Sequence, residues 1–451
     1  MNHRIRLFYL KNEVKIFAAL ALIVPFVFYL LTMERKLVGG DTTWYALYLP
    51  RMLVMVPTGY PTFSIIGKIF SIVPIGPLAF RLNLISAVFG APTIMLLFLA
   101  TNKLTKNTII SLSSSLTFAF LYTFWTVANR LEFDTINSFF IALILYSAML
   151  YTEKKQRKQF YLFAVALGLS LTNHPLAFFI MPAFLLYIIL INPVMFKNAK
   201  AVIVGILFFL MPLSLYAWLP IRSLQGYGPV TTLKGFIYYI TGRNVSGKIH
   251  GGSFENKDIA NVLKVAKDFI LAIYNNFGAF LLLIAISGLF YLFIKKWKFA
   301  LCSILVIIFN IIIIGLYLPY SPPNYSLNAM MIISIYLAFG FLLILNSVKT
   351  KFEKKENLPE KIISADPLSF QKDTNVLYKI KKIYHFKYFF VIFLMVLFLA
   401  SPAVLAFKNY KKADFSKPLE VYAFWNKVFD YIEDGSVLYV SSSSSNIGEF
   451  I

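Results

Sequence analysis

The chain has 451 residues, 59% of them apolar, a mean hydropathy of +0.72 and a formal charge of +23. Such an apolar excess excludes an ordinary soluble domain, which is about half apolar. A single cysteine, Cys302, excludes a disulfide framework and a thiolate metal site, and four histidines leave little material for a metal cluster.

Charge is scarce along the apolar runs and concentrated between them, the pattern of an all-α polytopic membrane protein. The lysines sit between spans, so the positive charge fits a bilayer with anionic headgroups as partner and no nucleic acid. Residues 1–15 are basic and lead into a run over 16–32 with no small-residue cleavage site after it, which predicts a retained first span. Further spans are predicted at 84–100, 108–127, 135–151, 159–172, 176–192, 201–219, 276–294, 299–317, 328–346 and 388–407. That makes about eleven transmembrane helices.

Alternate loops are basic: Arg4, Arg6, Lys11 and Lys15 at the start, then Lys103 and Lys106, Lys154 to Lys158, Lys197 and Lys200, and Lys295 to Lys298. The segment 347–387 carries ten lysines. The positive-inside rule places these loops in the cytoplasm of a multi-pass plasma-membrane protein, and an odd span count puts the C-terminus outside. The expected organisation is a transmembrane body over 1–346 with outer loops 33–83 and 220–267. A basic loop over 347–387, a last span over 388–407 and an outer tail over 408–451 follow. In that tail the pattern predicts a helix over 418–431 and a strand-like run from Ser436 to Ser441.

The outward segments hold the candidate chemistry. Gly39-Gly40-Asp41 opens the first outer loop; the pattern is commonly an ordinary turn with a solvated acid. A carboxylate placed there is equally suited to take a proton from an attacking hydroxyl. Val56-Pro57-Thr58-Gly59-Tyr60-Pro61 is turn-rich, and the following 63–70 reads as an interfacial helix with Lys68 facing headgroups. Arg81 stands at a membrane edge, as an anchor or a phosphate contact. Glu132 and Asp134 either pair locally with Arg130, or Glu132 faces the same cavity as Asp41. Asn173-His174-Pro175 marks a break between spans, where a histidine is a cap or a substrate contact. Arg222 closes the 201–219 span, as a snorkelling side chain or a bidentate phosphate ligand. Residues 241–248 read as a basic loop able to cover a pocket.

In order along the chain stand G-D-T-T-W from Gly40, V-P-T-G-Y-P from Val56, G-K-I-F from Gly67 and R-L-N-L-I-S-A from Arg81. E-F-D-T-I-N from Glu132, L-T-N-H from Leu171 and L-P-I-R-S from Leu219 follow. This series resembles the transmembrane protein 260-like family, related to the protein O-mannosyltransferases within the glycosyltransferase C superfamily. The likeness covers about 30–245 and, through Asn324-Tyr325, more loosely 315–345. Trp44 and Val56 depart from the family's usual acid and histidine. The resemblance implies a membrane enzyme with short interfacial helices in its outer loops. Such an enzyme moves mannose or another hexose from a polyprenyl-phosphate donor to a hydroxyl of a protein or glycan acceptor.

It implies Asp41 as the catalytic base; Arg222 and Arg81 fit a donor phosphate, and Glu132, His174, Asn173, Tyr60 and Tyr325 fit the pocket. The lipid-linked sugar is substrate; no cofactor is implied, and a divalent metal is admissible without being required. The rival readings are glycosylation of a lipid or cell-wall glycan, a transporter or flippase for lipid-linked sugars, and an inactive relative.

Overall fold

The computed structural model describes residues 3–36, 41–242, 259–317, 322–356 and 374–417. All regular elements among them are helical. They begin with α1 (His3–Thr32), α2 (Asp41–Arg51), α3 (Pro61–Ile72), α4 (Leu78–Thr105), α5 (Thr108–Ala119), α6 (Tyr122–Ala128), α7 (Phe133–Lys154) and α8 (Arg157–Asn173). There follow α9 (Leu176–Ile191), α10 (Ala199–Leu213), α11 (Trp218–Leu224), α12 (Leu233–Ile240), α13 (Ile259–Tyr317), α14 (Pro322–Tyr325), α15 (Leu327–Glu356) and α16 (Thr374–Ala413).

Seven stretches among the described residues are long and apolar enough to cross a membrane, or eight if one bent pair is counted as a span. The predicted eleven is not reached, for identifiable reasons. Helices α8 and α9 have 17 and 16 residues, shorter than the roughly 20 a perpendicular span needs. The spans predicted at 276–294 and 299–317 fall in one apolar stretch, Leu263–Ile314. The backbone leaves the helical region at Gly278 and Lys296, and Lys296 lies between those two predicted spans. The span predicted at 108–127 is broken instead, α5 and α6 meeting at 70°. Apolar surroundings forbid an unsatisfied backbone at such a break. Asn276 of α13 answers it: its Oδ1 accepts from the Thr123 N–H at 3.0 Å and its Nδ2 donates to Thr123 Oγ1 at 2.9 Å.

Two glycines let α13 and α15 meet backbone to backbone. A Cβ on Gly288 would stand 1.8 Å from the Tyr336 carbonyl oxygen, and one on Gly340 2.1 Å from that of Ile284. Small residues at such crossings are how membrane helices gain contact area.

The bundle has two chemically different ends. At one, Asn83 near the start of α4 accepts from the Leu131 N–H at 2.8 Å. At the other, Lys103 near the end of α4 pairs with Glu153 near the end of α7 at 2.5 Å. Lys298 donates to the Leu190 carbonyl at 2.6 Å and so joins the second end. The predicted basic loop 347–387 is helical where described, α15 running on to Glu356 and α16 starting at Thr374. The helix predicted at 418–431, the strand-like run at Ser436–Ser441 and the basic loop from Arg243 onward lie outside the described residues.

Candidate functional site

The outer loop predicted for 33–83 is built of two helices. Gly39 and Gly40 lie outside the described residues, and Asp41 begins α2. There its carboxylate complements the free N–H groups of the first turn. Thr42, Thr43, Tyr45, Ala46 and Leu49 form the buried face of α2, at the spacing of an amphipathic helix. Asp41 is exposed. Trp44, 43% exposed, meets Tyr48 edge-on with ring centroids 5.9 Å apart. Before α3, Gly59 adopts φ 88°, and a Cβ there would strike Leu219 Cδ2 at 2.5 Å. The V-P-T-G-Y-P and L-P-I-R-S segments therefore touch.

The cations of this region cap helices. Arg222 Nε donates to the Met52 carbonyl and Nη2 to that of Arg51, both at 2.8 Å. Its Nη1 donates to Gln225 Oε1 at 2.7 Å, and the guanidinium lies 4.0 Å from the Tyr227 ring centroid. Lys68, predicted to face headgroups, donates instead to the Pro50 carbonyl at 2.7 Å. Arg81 Nη1 donates to the carbonyls of Ser71 at 2.5 Å and Val73 at 3.1 Å, closing the end of α3. The reason is common to all three: the last carbonyls of a helix lack partners and carry partial negative charge. At 1.5 Å per residue, Arg222 stands roughly 15 Å along α2 from Asp41.

The carboxylates gather where α1, α4 and α7 meet. Buried Asn83 donates to the Glu34 carbonyl at 2.9 Å while accepting from Leu131. Ser86 exchanges hydrogen bonds with the backbone of Glu132, accepting from its N–H at 3.1 Å and donating to its carbonyl at 3.3 Å. The predicted local pairing is present, with Arg130 Nε 3.4 Å from Glu132 Oε1. So is proximity to Asp41. Burial pushes the Glu132 carboxyl up to about 8; Arg130 opposes this, and the charges of Asp134, Asp41 and Glu34 add to it. Glu34 is pushed up to about 7, again chiefly by burial against the opposing pull of Arg130. Asp134 accepts from Asn324 Nδ2 at 3.2 Å.

An aromatic stack covers this acidic cluster. Phe133 stacks on His174 with centroids 4.8 Å apart and on Tyr60 at 5.2 Å. Tyr325 meets His174 edge-on at 6.2 Å. Asn173 donates to the Phe133 carbonyl at 3.3 Å, and the Thr62 and Thr172 hydroxyls bond at 2.6 Å. His174 is 5% exposed, and burial lowers its imidazole to about 3. It therefore offers a neutral ring.

Tyr60, Glu132, Asn173, His174 and Tyr325 are thus brought together, with the charge of Asp41 acting on Glu132, while Arg222 and Arg81 bond helix-end carbonyls. Phe133 and Asn324, neighbours of predicted residues in two of the motifs, join the cluster with Glu34, which no motif announces. Phe415 does too, lying 5.9 Å from the Arg130 guanidinium, with its N–H donating to the Thr32 carbonyl at 3.0 Å.

Residues 41–195 match the model of the protein O-mannosyl-transferase TMEM260 N-terminal domain. The chain is 27% identical over 246 residues to protein O-mannosyl-transferase TMEM260 of Mus musculus, covering 51% of this chain and 33% of the relative. It is 23% identical over 361 residues to the Dictyostelium discoideum protein of that name, covering 70% of this chain and 44% of the relative. The matched part of the chain thus spans a third to under a half of the length of these relatives. By structure it resembles ArnT from Cupriavidus metallidurans bound to undecaprenyl phosphate, with a TM-score of 0.60 and 12% identity over 97% of this chain and 84% of that one. The Archaeoglobus fulgidus oligosaccharyltransferase in complex with zinc and sulfate matches at 0.52 and 12% over 92% and 56%. The chain is similar to the TMEM260 proteins, its residues 41–195 matching the model of their N-terminal domain, and it shares the fold of ArnT and the oligosaccharyltransferase.

Proposed function

We propose that the chain transfers a hexose, mannose in the first instance, from a polyprenyl-phosphate donor to a hydroxyl of a protein on the extracytoplasmic face. One observation carries this reading. An exposed carboxylate, Asp41, opens the stretch that matches the TMEM260 domain and stands beside a buried acidic and aromatic cluster drawn from five separate motifs.

In this reading Asp41 takes the proton of the acceptor hydroxyl as its oxygen attacks the anomeric carbon. The bond from that carbon to the phosphate oxygen breaks, and its electron pair leaves with the polyprenyl phosphate. A positioned base contributes about 10²–10⁴-fold. Arg130 is the cation suited to the leaving phosphate. Glu132, pushed up to about 8, is mostly protonated at neutral pH and leaves the guanidinium charge available. Arg222 and Lys68 act at a distance, by holding the far end of α2. The outward orientation is supported by the segregation of basic loops to the opposite end.

The test supplies labelled polyprenyl-phosphate mannose to membranes containing the chain or Asp41→Asn at equal expression. The expected result is protein labelling that falls about 10²–10⁴-fold with the substitution. Equal labelling by both would remove Asp41 as the base. Label entering lipid or glycan would replace the protein acceptor, and transport of the donor without transfer would replace the enzyme with a flippase.

A further inference from the structure

At the end of the bundle away from Asp41, a cleft of about 430 Å³ opens between the last turns of α4, α7 and α9 and the break in α13. Its rim carries Lys103, Lys106, Lys295, Lys296 and Lys298 against one acid, Glu153. Leu104, Met149, Ile191 and Phe299 supply apolar wall. The size is that of a small-ligand site.

The lysines are not equivalent. Lys103 and Lys106 share the Glu153 carboxylate at 2.5 and 2.8 Å, and Lys298 is spent on the Leu190 carbonyl. Lys295 lies 5.7 Å from the Tyr291 ring centroid. Exposed Lys296 has no partner among the described residues. The helix breaks at Lys296, which lets neighbouring residues 295–298 line one cleft instead of spreading around a helix. A second cleft of about 630 Å³ shares Lys103, Lys106 and Glu153, so that ion cluster stands as a wall between two openings. Glu153 is already matched by two lysines. The charge left over at Lys295 and Lys296 has no counterion among the described residues.

A rim of unmatched ammonium groups above an apolar wall fits an anionic head on a hydrocarbon tail. Trp297, 52% exposed at the same rim, is the residue type that favours the membrane interface. A soluble phosphate would use the rim and leave the wall idle. We infer that this cleft binds an anionic glycerophospholipid from the adjoining leaflet, its phosphate on Lys295 and Lys296 and an acyl chain along the apolar wall. The site is independent of the transfer reaction.

Native mass spectrometry of the full chain, released from bilayers of equimolar phosphatidylglycerol and phosphatidylcholine, tests this. Phosphatidylglycerol is expected to be retained over phosphatidylcholine by about tenfold, the scale of attraction to a few interfacial lysines. Lys295→Gln with Lys296→Gln should bring the ratio close to one. Lys296→Gln alone, which removes no described contact, should give part of that loss with helix content unchanged. No preference in the wild type, or a preference that survives the double substitution, would overturn the proposal. Displacement of the lipid by millimolar inorganic phosphate would overturn the lipid and leave a soluble anion as the ligand.

Discussion

Glu132 shows how a single side chain ties stability to pH. Its carboxyl is held up to about 8 in the fold, chiefly by burial, against 4.5 for the free side chain. Between those values the folded chain keeps a proton that the unfolded chain has lost. Stability should therefore fall as pH rises from about 5 to 8, the slope following the excess of protons bound by the folded state. Glu34, pushed up to about 7, acts in the same direction. Thermal unfolding of the detergent-solubilised chain should show a midpoint lower at pH 8 than at pH 5.5. Glu132→Gln, which cannot ionise, should flatten that dependence. A midpoint rising with pH in the wild type would mean that Arg130 holds Glu132 charged. The E-F-D-T-I-N segment marks Glu132 by spacing alone; the Ser86 hydroxyl that holds its backbone comes from another part of the chain.

At the scale of the element, α2 is held from its far end. Arg222 and Lys68 reach it from α11 and α3, and together they occupy the carbonyls of Pro50, Arg51 and Met52. Hydrogen bonds from a charged donor are worth about 1.5–3 kcal/mol each when both partners stay in place. Arg222→Ala should thus loosen α2 without removing any group beside Asp41. A cysteine at position 46, where Ala46 is 1% exposed, should react with a maleimide about tenfold faster in the Arg222→Ala background, as expected for ~1.4 kcal/mol. In the transfer assay the same change should lower turnover, while Arg222→Lys restores part of the protection. If labelling of position 46 is unchanged, the capping contacts do not hold α2. The sequence places Arg222 at a membrane boundary, where an arginine serves a phosphate, a headgroup or a helix end equally well. The approach of α11 to the end of α2 is what brings it to the helix end.

The whole molecule depends on close helix crossings. Gly288 and Gly340 sit where α13 and α15 touch, and a single added methyl at either would meet a carbonyl oxygen well inside contact distance. Overpacking of this kind costs about 1–3 kcal/mol. Gly288→Ala should lower the unfolding midpoint in detergent and reduce the yield of folded chain, and Gly340→Ala should do the same. An unchanged midpoint in either would show that the crossing has room. Because the cluster around Asp41 takes Asn324 and Tyr325 from the segment joining these two helices, a shifted crossing should also reduce transfer.

By itself the sequence determines the class of molecule. Long apolar runs with lysines between them leave membrane-spanning helices as the means of satisfying the backbone in hydrocarbon. The order of short polar motifs identifies the relatives, because each motif is local and readable one residue after another. Asp41 is legible for the same reason, as an acid next to a turn just beyond the first span. What the tertiary structure decides is every property that needs two distant segments. The 70° break between α5 and α6 is tolerated because Asn276 arrives from α13 to bond its backbone. Glu34, Phe133 and Phe415 enter the site because three helix ends converge there, and Arg222 and Arg81 serve as caps because unpartnered carbonyls lie within their reach. Burial, charge coupling and hydrogen-bond choice are properties of spatial neighbours, and a linear pattern records only neighbours along the chain.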